Sequence, residues 1–331
     1  MHIGIARRAV LAAIAAVVFA VSFGAASLAQ DKVRLRLSTA TSETDQRAIA
    51  LIQKFGPAVS GFADFEPHWN ATLFKQGTEL EAIARGNLEM SIASAQELAV
   101  FFPEFSIFTA GYLHRDAAHQ VAVFNSSLMA PFKKKAEDGL GVKLLSVMYL
   151  GRRHVNLRTD KVVKTPADLA GVKLRMPGTD AWQFLGKALG ANPVPMAFTE
   201  VYTALQTGAI DGQDNPLPTV VDAKFYEVTK QIVLTSHLVD LNYLAISKTV
   251  FDGLTSAQQE AVQKAADDAA AFGRRNQLKK EDELADFLRS KGLRVYEPDL
   301  GTFRARIQRM YLESDFAKDW PKGLVEKINA L

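Results

Sequence analysis

The sequence predicts an α/β fold, and three features indicate it. Strand-like apolar segments alternate with segments of helical spacing, the same alternation returns in a second block, and one helical stretch is longer than a small domain is wide. Alternating strands and helices are typical of a mainly parallel sheet with helices on its faces. The 331 residues are enough for two domains, each with its own core.

The first 29 residues are typical of an export signal. Arg7 and Arg8 precede an apolar run from Ala9 to Gly24, and Ser27-Leu28-Ala29 places small residues at both positions that signal peptidase reads. A membrane anchor is the alternative, but the run is shorter than the about 20 apolar residues of a spanning helix. We therefore predict a signal peptide at 1–29 and a periplasmic mature protein. The paired arginines partly match a twin-arginine signal, so both export routes stay open.

The elements of the first block follow in chain order. DKVRLRLSTA alternates apolar and charged residues as a strand does, DQRAIALIQKFGPAV has helical spacing, and FADFEPHWN indicates a second strand. GTELEAIARG predicts a helix that ends at Gly86, and Met90–Ala93 predicts a buried strand. GVKLLSVMYLG predicts a further strand that ends near Leu150.

The second block repeats this pattern. A short helix in TPADLAG is followed by a strand in VKLRMPG and by a helix from Thr179 to Leu189. The stretch from Ser256 to Ser290 predicts one long helix, with Ser256 as its cap and Gly292 as its terminator. At 1.5 Å per residue it would extend about 50 Å and cross both domains. The alternative is two shorter helices broken at Gly273.

Composition and motifs exclude several function classes. The net charge of +3 is small and gives no indication of a nucleic-acid partner. The absence of cysteine excludes a thiol nucleophile, and neither a nucleophile elbow, a phosphate-binding loop nor a zinc motif is present. We expect no catalytic residue, no metal and no cofactor. A secreted enzyme that uses His154 or Asp240 as acid or base remains an alternative.

The remaining candidates are cationic. In VKLRMPG the strand period places Arg175 on the polar face, as the last polar residue before Pro177-Gly178 end the strand. Open α/β sheets bind ligands beyond the carboxyl ends of their strands, although most charges are simply solvated. Arg152, Arg153 and His154 follow the strand that ends near Leu150. Two guanidinium groups in one cleft could bind a carboxylate by charge-assisted hydrogen bonds.

Residues 170–216 resemble the signature region of DctP-type substrate-binding proteins of TRAP (tripartite ATP-independent periplasmic) transporters. The likeness joins the strand arginine to GANPVPM, FTEVYTALQTGAIDGQDNP and KFYEVTKQIVLTSH, and it extends more weakly over nearly the whole mature chain. It implies a two-lobed periplasmic binding protein with a mainly parallel sheet in each lobe and a long helix spanning both. We expect lobe I at 30–150 plus 241–280 and lobe II at 151–240 plus 281–331.

The resemblance also implies a carboxylate site. Arg175 matches the principal carboxylate-binding arginine of the family. Arg153 matches a second arginine that assists it, and Asn215 matches a polar residue that also binds the carboxylate. Phe198 matches an aromatic wall of the pocket. Trp182 could stack on a sugar ring or simply pack its helix on the sheet.

The other polar residues of the pocket are expected to form a neutral lining. Gln76 and Ser94 stand where the sialate-binding branch has acidic side chains, and with Asn70 and His154 they would line the pocket with hydrogen-bonding groups. This favours a hexuronate or related sugar acid, with an aromatic or 2-keto acid as the alternative. The implied function is capture of an organic monocarboxylate by a monomer and its delivery to a TRAP permease. A sensing role, in which the lobes report to a receptor, is not distinguished from transport.

Overall fold

The computed structural model describes residues 32–331, and within them one nine-stranded mixed sheet forms the centre of the molecule. The predicted signal peptide lies outside the described residues. In chain order the strands are β1 (Val33–Ser38), β2 (Ala63–His68), β3 (Met90–Ser94), β4 (Val142–Leu157), β5 (Lys173–Met176), β6 (Asn192–Pro195), β7 (Gly212–Asn215), β8 (Gln231–Ser247) and β9 (Arg294–Tyr296). The order across the sheet is β2-β1-β3-β8-β4-β7-β5-β6, and β9 pairs with β8.

The sheet joins two parallel groups through two long antiparallel strands. β1 pairs in parallel with β2 and β3, and β5 pairs in parallel with β6 and β7. Between the groups, β4 and β8 pair with each other over nearly their whole length of 16 and 17 residues. The α/β fold with mostly parallel strands is confirmed. The two groups lie toward opposite ends of one sheet, because β4 and β8 run through both.

Helices connect these strands. The α-helices are α1 (Gln46–Ala50), α2 (Gly56–Val59), α3 (Glu79–Ala84), α4 (Ala95–Phe101), α5 (Ala117–Asn125), α6 (Ala130–Leu140), α7 (Asp180–Ala188), α8 (Val201–Thr207), α9 (Leu217–Asp222), α10 (Lys248–Asp252), α11 (Ser256–Ser290), α12 (Leu300–Leu312) and α13 (Leu324–Asn329). A π-helical turn, Leu51–Phe55, joins α1 to α2. Within the described range no helix is long and apolar enough to cross a membrane.

Apolar side chains cover both faces of the sheet. Along β8, Leu244 and Ile246 belong to one buried cluster, whereas the alternating residues Tyr243 and Ala245 belong to another. Successive side chains of a strand point to opposite faces, so the sheet is buried on both sides here. Such burial is typical of a central strand and explains why this segment is almost continuously apolar.

The helix α11 runs unbroken from Ser256 to Ser290, as the sequence predicts. Its cap is Thr255 rather than Ser256, because the Thr255 side chain accepts from Gln258 N while the Gln258 side chain accepts from Thr255 N. The alternative of a break at Gly273 is wrong. A Cβ there would lie 3.2 Å from Ala50 Cβ, so this glycine permits close packing against α1.

The strand β4 corrects one prediction. It does not end near Leu150 but continues to Leu157, so Arg153 and His154 lie on a strand rather than in a connection. Gly151 sits at a bulge with φ of 131°, opposite Asp240 of β8. Any larger residue would collide there, since a Cβ would lie 2.7 Å from Pro216 Cβ. The segment TPADLAG forms only a short 3-10 helix, Pro166–Leu169.

Candidate functional site

A cavity of about 240 Å³ lies between the two parallel groups of the sheet. Residues that follow β1, β2 and β3 line one side of it, and residues of β5, β7 and the segments after them line the other. This is the edge at which open α/β sheets bind ligands. Eight of the nine predicted site residues line it: Arg175, Arg153, Asn215, Phe198, Trp182, Gln76, Asn70 and Ser94.

Arg175 is buried in this cavity with an incomplete set of partners. The side chain is 1 % exposed, its Nε donates to the carbonyl of Met196 at 2.9 Å, and its Nη2 has no hydrogen-bond partner among the described residues. Burial lowers the pKa of Arg175 to about 9, although the nearby carboxylate of Asp214 opposes this effect. A buried cation is costly when none of the described residues forms a direct ion pair with it, so the arrangement favours an anionic ligand.

Arg153 differs from Arg175 because its charge is already neutralised. Its Nε donates to Asp214 Oδ2 at 2.7 Å, and its Nη1 donates to Asp240 Oδ2 at 2.8 Å. Burial disfavours the charged guanidinium, but these two carboxylates raise the pKa of Arg153 above its ordinary value. Within residues 32–331, Arg153 is therefore ion-paired, whereas Nη2 of Arg175 has no hydrogen-bond partner.

Aromatic side chains lie beside both arginines. The guanidinium carbon of Arg153 lies 4.5 Å from the ring centre of Trp182, and that of Arg175 lies 5.8 Å from the ring centre of Phe198. Contacts of this kind hold a planar cation in place by cation–π attraction. Trp182 is 4 % exposed and lines the cavity, so it both packs α7 on the sheet and faces the ligand space.

The polar residues at the site are held by bonds of their own. The amide of Asn215 donates to Gln213 Oε1 at 2.6 Å, and Gln76 Oε1 accepts from the backbone N–H of Phe198 at 2.8 Å. Ser94 begins α4, where its Oγ accepts from Glu97 N and its own N–H donates to the Glu97 carboxylate. Asn70 has a φ of 56° in the turn after β2. These bonds hold the walls of the cavity in position.

His154 does not line the cavity. It is adjacent to Arg153 on β4, and neighbouring strand residues point to opposite faces of the sheet. Its Nδ1 accepts from the backbone N–H of Ser236, and burial, with His237 and Arg152 nearby, lowers its pKa to about 3. The prediction that His154 contacts a ligand therefore has no support, and neither has its use as an acid or base in this cavity.

The expectation of a neutral lining is wrong. Additional charged and polar side chains line the cavity: Asp45, Arg47, Glu79, Glu97, Thr219, Asp222, Asp240 and Asn242. Asp45 and Arg47 form a buried ion pair of 2.9 Å, and Arg47 also contacts Asn242. Burial raises the pKa of Glu79 to about 8, with a further contribution from Glu97.

One signal in the sequence could have revealed part of this set. Asp45 and Arg47 follow β1 after a polar run, so the rule that identified Arg175 applies to them as well. Glu97 completes a Ser-x-x-Glu capping box after a buried strand. Glu79 and Asp222 lie on helices, where periodicity alone does not show which face meets a ligand. Over residues 32–331 no group of three or more acidic, histidine or cysteine side chains is arranged to hold a metal ion.

A family profile and a solved structure both match this chain over most of its length. The profile of the bacterial extracellular solute-binding protein family 7, DctP, matches residues 43–318. A TRAP periplasmic solute-binding protein from Roseobacter denitrificans, solved with bound 3-deoxy-D-manno-oct-2-ulosonic acid (KDO), is 69% identical, with a TM-score of 0.90 over 91% of this chain and 99% of that chain.

Two curated relatives are more distant. The 2,3-diketo-L-gulonate-binding periplasmic protein YiaO of Escherichia coli is 31% identical over 91% of this chain and 92% of its own length. The sialic acid-binding periplasmic protein SiaP of Vibrio cholerae is 31% identical over 76% of this chain and 77% of its own length. Both are named as periplasmic binding proteins. The chain therefore belongs to the DctP family of extracellular solute-binding proteins that serve TRAP transporters.

Proposed function

We propose that this protein captures KDO, or a closely related 2-keto-3-deoxy sugar acid, in the periplasm and delivers it to a TRAP membrane permease. The observation that carries the proposal is Arg175, which lines the cavity and whose buried Nη2 has no hydrogen-bond partner within residues 32–331. A carboxylate is the group that best matches a guanidinium fork, because two parallel N–H groups can donate to its two oxygens.

The choice of sugar acid rests on similarity. The Roseobacter protein with bound KDO shares 69% of its residues with this chain, whereas the relatives named for other acids share 31%. KDO is both a sugar acid and a 2-keto acid, so it joins the favoured and the alternative ligand classes predicted from the sequence. The volume of about 240 Å³ suits a small metabolite and not a peptide.

The contacts across the cavity support a capture mechanism. Ligand binding stabilises closure only through its differential affinity for the closed form, which requires contacts from both sides. Arg175 and Asn215 lie on one side and Gln76, Asn70 and Ser94 on the other. Closure would bury the acid against both, and the closed form would then be the one recognised by the permease. We propose the predicted lobe boundaries, near residues 150 and 240, as the points where the two halves move.

Titration calorimetry with KDO tests the proposal. Wild-type protein should bind KDO, and Arg175→Ala should weaken binding by about 2 to 5 kcal/mol, since the buried carboxylate would lose its partner. Arg152→Ala is the matched control, because Arg152 precedes Arg153 on β4 and does not line the cavity. The carboxylate site would be refuted if Arg175→Ala bound KDO as tightly as Arg152→Ala. The ligand assignment would be refuted if wild-type protein did not bind KDO.

A further inference from the structure

The helix α9 presents two polar side chains to the cavity. Thr219 and Asp222 both line it, and because they are three residues apart they lie on the same face of the helix. Leu217 and Val220, from the same helix, belong to an apolar cluster. The position of α9 is therefore set by apolar packing on one side, while its polar face meets the ligand space.

Both polar side chains have atoms without partners. Thr219 is 6 % exposed, and its Oγ1 has no hydrogen bond among the described residues. Asp222 Oδ2 is also buried and has no hydrogen bond to any residue of the described range, although Lys280 Nζ lies 3.7 Å from the other oxygen, Oδ1. A threonine hydroxyl can donate one hydrogen bond and accept two, and a carboxylate oxygen only accepts. A buried polar atom left unpaired is costly, so these atoms indicate that a polar ligand group completes them.

The helix α9 begins near the acid end of the site, and Asp222 is its last residue. Arg175 lies opposite Gln213 in the adjoining strand, and Asn215 ends that strand two residues before α9 begins. From Leu217 to Asp222 the helix advances about 7.5 Å along its axis. Asp222, the last residue of the helix, lies close enough to Asp45 and Arg47 for their charges to act on its carboxyl group.

The charges in this part of the cavity favour a neutral donor. Arg47 is neutralised by Asp45, and all three of its guanidinium nitrogens are bonded to Asp45 or Asn242. Burial raises the pKa of Asp222 to about 6, and Asp45 adds to this effect, although Lys280 opposes it. A second anionic group on the ligand would meet Asp222 and be repelled, whereas a hydroxyl can donate to it.

We propose that Thr219 and Asp222 form a subsite for the hydroxyl groups of the sugar acid at the end remote from its carboxylate. This inference rests on the proposed function and adds to it the residues that select a hydroxylated acid over a plain one. Thr219 offers both a donor and an acceptor to the sugar chain, and Asp222 accepts from a second hydroxyl. Arg175 then supplies attraction to any carboxylate, and the α9 pair supplies selectivity.

Calorimetry with KDO on paired variants tests the subsite. Thr219→Val removes the hydroxyl and keeps the branched shape, so it should weaken KDO binding about 3- to 10-fold. Thr219→Ser keeps the hydroxyl and should stay within about 2-fold of wild type. If Thr219 served only for packing, Thr219→Ser should weaken KDO binding more than Thr219→Val does, because serine leaves a gap that valine fills. Asp222→Ala should weaken binding about 10-fold or more, and urea unfolding without ligand checks that each variant folds.

The outcomes separate this inference from the proposed function. If wild-type protein bound KDO but Thr219→Val and Thr219→Ser bound it equally, the subsite would be overturned and the carboxylate site would stand. The same holds if Asp222→Ala bound KDO as tightly as wild type. If wild-type protein failed to bind KDO, the proposed function would fail, and this inference would fail with it.

Discussion

Gln76 Oε1 accepts a 2.8 Å hydrogen bond from the backbone N–H of Phe198, so two residues 122 positions apart in the chain are joined across the cavity. Gln76 lies in the turn before α3, and Phe198 lies in the segment that follows β6. Separation of the two sides would break this bond, so we expect it to stabilise the closed form that we propose.

Gln76→Leu should weaken ligand binding. The variant removes the acceptor, so closure would leave the Phe198 N–H unpaired at a cost of about 1–3 kcal/mol. Calorimetry with KDO should show the loss, and small-angle scattering should show less compaction on addition of ligand. Gln53→Leu, at an exposed position of the π-helical turn, is the control and should bind as wild type does. Equal affinity of the two variants would contradict a role in closure.

Arg175→Met should weaken ligand binding and stabilise the ligand-free protein. Burial lowers the pKa of Arg175 to about 9, which means that folding disfavours its charge in the absence of ligand. Replacing the cation by an apolar chain should therefore raise the free energy of unfolding of the ligand-free protein by about 1 kcal/mol. Urea titration measures this difference. A loss of stability would mean that the bond to Met196 outweighs the desolvation of the guanidinium.

Glu79 should make stability fall as the pH rises. Its pKa is about 8 in the folded protein and 4.5 in the unfolded chain, so the folded state binds more protons between these values. The contribution of Glu79 is therefore largest near pH 4.5 and is lost by about pH 8, with a slope of at most about 1.4 kcal/mol per pH unit. Glu79→Gln should flatten the unfolding free energy over this window, measured by urea titration at each pH. Glu81→Gln, on the exposed side of α3, should keep the wild-type slope.

Gly186→Ala should destabilise the fold through the packing of α7 on the sheet. A Cβ at Gly186 would lie 2.7 Å from Pro193 Cβ and 2.9 Å from Met176 Cγ, so α7 would have to move away from β5 and β6. Overpacking of this kind costs about 1–3 kcal/mol. Thermal unfolding should show the loss. Gly61→Ala has open space around it and should leave the melting temperature nearly unchanged, so equal melting temperatures would contradict the close packing of α7.

Local patterns in the sequence predicted most of the elements. The spacing in VKLRMPG and in the 256–290 stretch identified β5 and α11, because alternation and helical periodicity are local properties. The length of β4 was underestimated, since Gly151 and the charged residues after it look like the end of a strand. They continue the strand because Arg153 finds its counter-ions, Asp214 and Asp240, on β7 and on β8.

The sequence by itself determined that this chain has an α/β fold, that Arg175 stands at the end of a strand, and that the chain resembles a family of acid-binding proteins. Only the tertiary structure decided which charged side chains are ion-paired within the protein. Arg153 and Arg175 look alike in the sequence, yet in the part of the chain that the structure describes Arg153 is ion-paired and Nη2 of Arg175 has no partner. The physical reason is that residues distant in the chain bury each arginine and supply its partners. Burial and partners together decide whether the cation is already neutralised or can bind an anionic ligand.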